Sequence, residues 1–334
     1  MRTQALPTRN VRYVLSEYSE VVTLITFVLI FGIFAVAADN FLTNFALSNI
    51  VTFAGVYGIM AIGVAILMIT GEFDLSVGSV LAVACYVFAL LLNAGFAPML
   101  AALAALIVCT ILGLINGWIV VTTKIPSFIV TLGTLLAYRG IARFLGGGDF
   151  VYYKGELPTL FGILNGPITW INQLSDPPAN MRYSVAWAIG LIIIATIMMT
   201  RTRLGNWIYA VGGNPGAALA QGVPVNRVKL ICFALTGFMA GLAGVIQFAE
   251  LKSVDPLRGA GLELIMVSAS VIGGVWLTGG VGTIVGAMLG MLILMMLQQG
   301  LILLQVPLEM FQAVAGLIII TAVVVNKNLQ GTRG

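Results

Sequence analysis

The sequence predicts an all-α, polytopic membrane protein with about ten transmembrane helices, some of them short or broken. Of the 334 residues, 60% are hydrophobic and only 8% are charged, and the mean hydropathy is +1.07. Soluble domains carry about 25% charged residues, so a water-soluble fold of this composition could not cover its own surface. Apolar runs of spanning length also recur along the whole chain. Most of the chain is therefore expected to lie in lipid.

A transmembrane helix needs about 20 consecutive apolar residues, and ten runs approach that length. The third and eighth runs are short, which is typical of tilted, broken or re-entrant elements held inside protein. The ten runs lie near 21–38, 48–70, 79–93, 98–121, 127–146, 183–200, 228–249, 263–276, 282–303 and 308–326.

The first run could also belong to a cleavable signal peptide, because a basic segment precedes it and Ala35-Val36-Ala37 ends it. Two observations favour a span. Glu17 and Glu20 stand beside the run, and its length of 18 residues exceeds that of a usual signal-peptide core.

Lys and Arg in the loops predict the orientation, because they concentrate on the cytoplasmic side. With the N-terminus inside, 10 of the 16 basic residues are cytoplasmic and four are outside, so both termini are expected in the cytoplasm. The loop at 147–182 then faces outward and the loop at 201–227 faces the cytoplasm. The predicted organisation is a cytoplasmic segment at 1–20, one transmembrane domain at 21–326 and a cytoplasmic tail at 327–334.

Residues that the chain lacks exclude several classes of function. There is no histidine, which removes histidine acid–base catalysis, Ser–His nucleophiles and histidine metal ligands. Cys85, Cys109 and Cys232 have neither metal-ligand nor redox spacing. The phosphate-binding pattern G-x-x-x-x-G-K-[ST] is absent from the sequence. We therefore predict no catalytic residue and no metal site, and the small net charge of +4 predicts membrane lipid rather than nucleic acid as a partner.

Two glycine-containing segments resemble each other, one at 70–79 and a shorter one at 277–283. Each follows an apolar run that ends on the same predicted side, and each opens another run, so the copies would form a parallel repeat. They fit either broken helices beside a translocation path or simple tight turns. Gly282, Gly286 and Gly290 recur every four residues, which favours helix packing within the chain over a dimer contact.

Polar residues that interrupt the apolar runs are candidates for the path or its gate. Glu72 and Asp74 are costly in lipid unless they face a cavity or a partner, although a solvated loop or a helix cap at Asp74 is an alternative. Arg139 lies deep in its run and should find a carbonyl or polar partner, while Glu263 suits the first turn of a helix. The candidates are Glu72, Asp74, Ser76, Ser79, Thr134, Arg139, Glu263 and Thr278.

The loop at 201–227 predicts a helix of about two turns. Asn214 is a good N-cap, Pro215 suits the first helical position, and Gly222 followed by Pro224 stops the helix. Because so short a helix is marginal in water, it must pack on its own bundle or dock into another protein.

At this loop the chain resembles the permease subunits of ATP-binding-cassette importers, and most closely the ribose/xylose-type carbohydrate family. Gly216-Ala217-Ala218-x-x-x-Gly222 is similar to the E-A-A-x-x-x-G loop of importer permeases, with Gly216 in place of Glu. The stretch Gly212-Gly213-Asn214-Pro215-x-Ala217-Ala218 matches the ribose-type form better. Further similar segments begin at Gly71, Thr131, Arg139 and Ile272, in the family's order.

The resemblance implies a permease subunit that carries a sugar or sugar-like solute through the bacterial inner membrane. A second permease subunit would complete the path, a periplasmic sugar-binding protein would deliver the solute, and cytoplasmic ATPase subunits would bind the short helix. ATP and Mg would bind the ATPase, and this chain would hold no cofactor. The residues implied in ATPase coupling are Asn214, Pro215, Gly216, Ala217, Ala218 and Gly222.

Two other classes remain as alternatives. A proton- or sodium-coupled secondary transporter would need ionisable residues for coupling, and Glu72 and Asp74 are the acids available for it. A membrane enzyme without histidine would need clustered carboxylates, and the same two residues form the one close acidic pair that interrupts the apolar runs. Which sugar is carried, and whether the permease dimer is homo- or heteromeric, stay open at this point.

Overall fold

The computed structural model describes residues 19–307 together with residues 310, 311, 313, 314, 316, 317 and 320. In that part of the chain, thirteen helices and two short strands follow one another. They are α1 (Ser19–Ala37), α2 (Asn44–Ile69), α3 (Val77–Asn93), α4 (Pro98–Thr123), α5 (Ser127–Leu145), β1 (Val151–Tyr152), α6 (Thr159–Asn165), α7 (Thr169–Asn172), α8 (Tyr183–Arg201), α9 (Arg203–Gly213), α10 (Pro215–Ala220), α11 (Val225–Leu251), β2 (Ser253–Val254), α12 (Leu262–Ile272) and α13 (Ile284–Leu303).

Nine of the ten predicted runs correspond to helices, and six of those helices are long and apolar enough to cross a membrane. α1 and α3 are shorter apolar helices, and α12 is shorter still. With 11 residues, α12 extends about 16 Å, roughly half of a bilayer core. It also ends before the predicted 276, because Gly273 and Gly274 interrupt the helix. The tenth run, at 308–326, lies largely outside the described residues.

α11 forms the centre of the bundle and packs against α2, α3 and α4. Its glycines let the neighbouring helices approach closely, because a Cβ at Gly244 would lie 2.7 Å from the carbonyl oxygen of Leu81 on α3. α2 is mostly buried, whereas α4, α5 and α8 leave most of their residues outside the bundle core.

The regularly spaced glycines of α13 pack within the chain, as predicted. Gly286 and Gly290 face the backbone of the segment that contains α12, where side chains at these positions would overlap the carbonyl oxygens of Gly273 and Ala269. These two glycines are therefore occupied by packing within the chain and are not available for a dimer contact.

β1 and β2 mark one end of the bundle, which we call the strand end. The two strands pair antiparallel with Val151 opposite Val254, so the loop at 147–182 lies beside the end of α11. α11 is 27 residues long, about 40 Å, and begins directly after α10. The first residues of α11 therefore lie at the end of the bundle opposite the strands, together with α9 and α10. We call this end the short-helix end. In the described part of the chain, these two-residue strands depart from the predicted all-α class.

Candidate coupling site and path

α10 forms the short helix that the sequence predicts. The side-chain oxygen of Asn214 accepts a hydrogen bond from Ala217 N at 3.0 Å, and Pro215 occupies the first helical position. Gly222 ends the element with a φ of +80°, a left-handed conformation that favours glycine. Both ends of α10 are therefore specified by local sequence.

One face of α10 is free of contacts with its own bundle in the described part of the chain. Ala218 is buried against the bundle, whereas Gly216, Ala217 and Leu219 are exposed. Leu219 is 65% exposed, so the bundle leaves most of this apolar side chain uncovered. Of the two predicted alternatives, packing on the bundle therefore accounts for the face that carries Ala218. The exposed face remains available for docking to another protein.

α9 precedes α10 and was missed by the sequence analysis, which treated 201–213 as loop. The hydroxyl of Thr202 accepts a hydrogen bond from Gly205 N at 3.3 Å and caps the helix. Thr202 comes three residues after Met199, the last apolar residue of α8, and a threonine there is an N-cap signal that could have revealed α9. The helix carries Gly212 and Gly213 to the position just before α10.

The two glycine-containing segments of the predicted repeat meet at the short-helix end. The first, between α2 and α3, we call the first break (70–76), and the second, between α12 and α13, the second break (273–283). Gly280 N donates to Ile69 O at 2.8 Å, and a Cβ at Gly279 would lie 2.7 Å from Gly71 N. Both breaks connect a helix running toward this end with one running away, so the copies share one orientation.

Glu72 lies in the first break and forms an ion pair with Lys229 of α11. Both side chains are largely buried, at 11% and 20% exposed. Glu72 is therefore paired rather than solvated, and its partner stands 157 residues further along the chain. No local sequence pattern predicts this pairing.

Asp74 belongs to a buried hydrogen-bond cluster. Its Oδ1 accepts bonds from Ser76 N at 2.7 Å and Ser76 Oγ at 2.6 Å. Asn116 Nδ2 donates to Asp74 Oδ2 at 3.3 Å and to Ser76 Oγ at 2.8 Å, and Tyr138 OH donates to Asn116 Oδ1 at 3.0 Å. Asp74 thus fixes the turn before α3, but as a buried group. Asn116 and Tyr138 were not singled out from the sequence.

Hydrogen bonds join the first break and the start of α3 to α5. Phe73 N donates to Ser127 Oγ at 2.9 Å, and Ser79 Oγ donates to Leu135 O at 2.9 Å. Within the described residues, by contrast, the Thr134 hydroxyl bonds its own helix, through Thr131 O at 3.3 Å. Thr278 is exposed on the second break, and its carbonyl oxygen lies near Gly71.

Arg139 is buried and donates to the carbonyl oxygens of Arg258 and Gly259, at 2.6 and 3.2 Å. The predicted carbonyl partners are therefore present. Glu263 stands in the first turn of α12, as predicted, and its Oε2 lies 3.9 Å from Arg139. Together these groups hold the segment before α12 against α5.

The structure brings these polar residues into two groups. Glu72 and Asp74 stand at the short-helix end, and Arg139 with Glu263 stands nearer the strand end. Within the described residues, no group of three acidic or cysteine side chains could hold a metal ion.

Comparison with known proteins adds three similarities. A family model described as "Branched-chain amino acid transport system / permease component" matches residues 46–323. The ribose import permease protein RbsC of Escherichia coli (strain K12) is 36% identical over 310 residues, which cover 92% of this chain and 94% of that protein. The autoinducer 2 import system permease protein LsrC of Photorhabdus luminescens is 30% identical over 312 residues, 93% of this chain and 90% of the relative. No solved structure matches the chain.

Proposed function

This chain belongs to the carbohydrate-type permease family of ATP-binding-cassette importers and is a multi-pass transport subunit rather than an enzyme, and we propose that its solute is a sugar or a sugar-like compound. The observation that carries the proposal is similarity over more than 90% of the chain to permeases named for ribose and autoinducer 2. The few polar side chains of its spans fit a path in which the delivering protein supplies most of the specificity.

α10 is proposed as the docking element for a cytoplasmic ATPase. Its exposed face presents Gly216, Ala217 and Leu219, and small residues allow close approach to a cleft. Asn214, Pro215, Ala218 and Gly222 define its conformation. ATP and Mg would bind the ATPase, which would favour one state of the bundle over another and so drive alternating access.

The same proposal assigns the remaining partners and the orientation. The short-helix end faces the cytoplasm and the strand end faces the periplasm of a bacterial inner membrane, in agreement with the distribution of Lys and Arg. A second permease subunit completes the path, and a periplasmic sugar-binding protein docks at the strand end. Around the path, Glu72, Asp74, Ser76, Ser79, Thr134 and Thr278 belong to the cytoplasmic half, and Arg139 and Glu263 to the outer half.

The docking proposal is tested with Leu219→Asp in the full chain, purified in mild detergent from its native host. Because a carboxylate would be desolvated at the contact, recovery of the ATPase is expected to fall about tenfold or more relative to the wild type. Leu174→Asp is the matched control, since Leu174 is 78% exposed at the strand end. Equal recovery of the ATPase with Leu219→Asp, or no ATPase with the wild-type chain, would contradict the assignment.

The solute class is tested by uptake into vesicles that contain the purified importer with its binding protein. ATP-dependent uptake of a pentose, a hexose or autoinducer 2 is expected, and none of leucine. Leucine uptake would instead favour the amino-acid class named in the family description. Uptake without ATP, abolished by collapsing a proton or sodium gradient, would favour the ion-coupled alternative.

A further inference from the structure

Three backbone segments meet without intervening side chains at the short-helix end. A Cβ added at Gly212 of α9 would overlap Ile69 O and would lie 2.5 Å from Gly280 N. A Cβ added at Gly279 would lie 2.7 Å from Gly71 N and 3.0 Å from Gly212 O. We call the contact of Gly71, Gly212, Gly279 and Gly280 the glycine junction. It joins the last turn of α9 to both breaks.

Both flanks of α10 are attached to these breaks by side chains as well. On the N-terminal flank, Tyr209 OH of α9 donates to Gly282 O of the second break at 2.8 Å. On the C-terminal flank, Lys229 of α11 forms its ion pair with Glu72 of the first break. A displacement of α10 would therefore reach both breaks through α9 and the first break also through α11.

Because no side chains lie between the segments at the junction, a displacement of one backbone segment would act directly on the next. Flexible side chains can absorb a small shift by changing rotamer, whereas backbone in direct contact cannot. Close-packed contacts of this kind tend to move as units between discrete arrangements. The backbone bond from Gly280 N to Ile69 O also ties the second break to the last residue of α2, directly before the first break.

We propose that the glycine junction, with the Tyr209–Gly282 bond and the Lys229–Glu72 ion pair, transmits the motion of α10 to both breaks at once. The breaks then open and close the cytoplasmic side of the path together, and Glu72 and Lys229 act as positioning residues that hold the first break to α11. This inference rests on the proposed function, in which α10 contacts the ATPase.

Two adjacent glycines of α9 give a matched test. Gly212→Ala places a methyl group into the junction, whereas a Cβ at Gly213 would meet nothing within 4 Å. With the complete importer in vesicles, Gly212→Ala is expected to raise the ATP hydrolysed per solute imported about tenfold, while ATPase recovery on purification stays at the wild-type level. Gly213→Ala is expected to match the wild type in both measurements. A wild-type ratio for Gly212→Ala would overturn the proposal.

Milder variants test the same path if Gly212→Ala does not fold. Tyr209→Phe removes one hydrogen bond and should raise the ratio of ATP to solute in the same direction. Glu72→Lys and Lys229→Glu should each raise it, and the double variant should restore it, because the swapped charges attract again. Wild-type ratios in Tyr209→Phe and both single variants, or no recovery in the double variant, would overturn the proposal. Failure of the docking proposal differs, because the wild-type chain then recovers no ATPase.

Discussion

At the scale of single residues, Arg139 illustrates how a charge inside the bundle is held. Its guanidinium satisfies two backbone carbonyls and lies 3.9 Å from Glu263, with 11% and 13% of the two side chains exposed. Removing one member of such a group leaves the other charge buried and unpaired, which is more costly than the pair itself is stabilising. Arg139 is therefore expected to contribute mainly to the fold of the segment before α12.

The corresponding prediction is that Arg139→Met lowers the free energy of unfolding by about 3 kcal/mol. Arg143 stands one turn further on α5 and bonds only Pro256 O in the described contacts, at 3.2 Å, from an exposed position. Arg143→Met should therefore cost less than about 1 kcal/mol. Denaturant unfolding in detergent measures both, and equal costs for the two variants would show that burial of Arg139 is not the cause.

Unusual side chains can be located from the sequence, but the residues that they contact cannot. Glu72, Asp74 and Arg139 stand out because charges are rare in apolar runs. Lys229, by contrast, is one of several basic residues near a loop that is predicted to be cytoplasmic, and Asn116 is a single polar residue in an apolar helix. Their roles arise from contacts across 157 and 42 residues of chain, which local pattern does not encode.

At the scale of elements, the close packing of α12 on α13 depends on glycine. A side chain at Gly290 would overlap Ala269 O and would lie 2.9 Å from Gly273 N, so the two backbones would have to separate. Gly290→Ala is expected to destabilise the protein by about 2 kcal/mol. Gly133→Ala on α5 is the control, because its Cβ would meet nothing within 4 Å and alanine favours a helix. Thermal unfolding in detergent compares the two, and a stable Gly290→Ala variant would contradict the described packing.

Element boundaries were predictable where local chemistry sets them. The caps of α10 follow from Asn214, Pro215 and Gly222, and nine apolar runs became helices. α12 ended early because a glycine pair interrupts an apolar run whose composition alone does not reveal the break. α6 and α7, inside the loop at 147–182, are seven and four residues long, too short to show a detectable helical period.

At the scale of the whole molecule, the parallel repeat brings the two breaks to the same end of the bundle. Each follows a helix that runs toward the short-helix end, and the two copies end in contact with each other and with α9. A repeat whose copies ended on opposite sides of the bundle could not be reached from one short helix. The contact therefore places both breaks within reach of a single input.

The orientation of the bundle in the membrane can be tested by labelling one residue at each end. Leu174 at the strand end and Leu219 on α10 are 78% and 65% exposed and lie at opposite ends of α11. The native Cys85, Cys109 and Cys232 are at most 1% exposed, so a membrane-impermeant maleimide should spare them. In intact spheroplasts, Leu174→Cys is expected to react and Leu219→Cys to be protected, with the order reversed in inside-out vesicles from which the ATPase has been stripped. Labelling of Leu219→Cys from the periplasmic side would invert the proposed topology and with it the assignment of α10 to an ATPase, because a coupling helix must face the compartment that holds ATP.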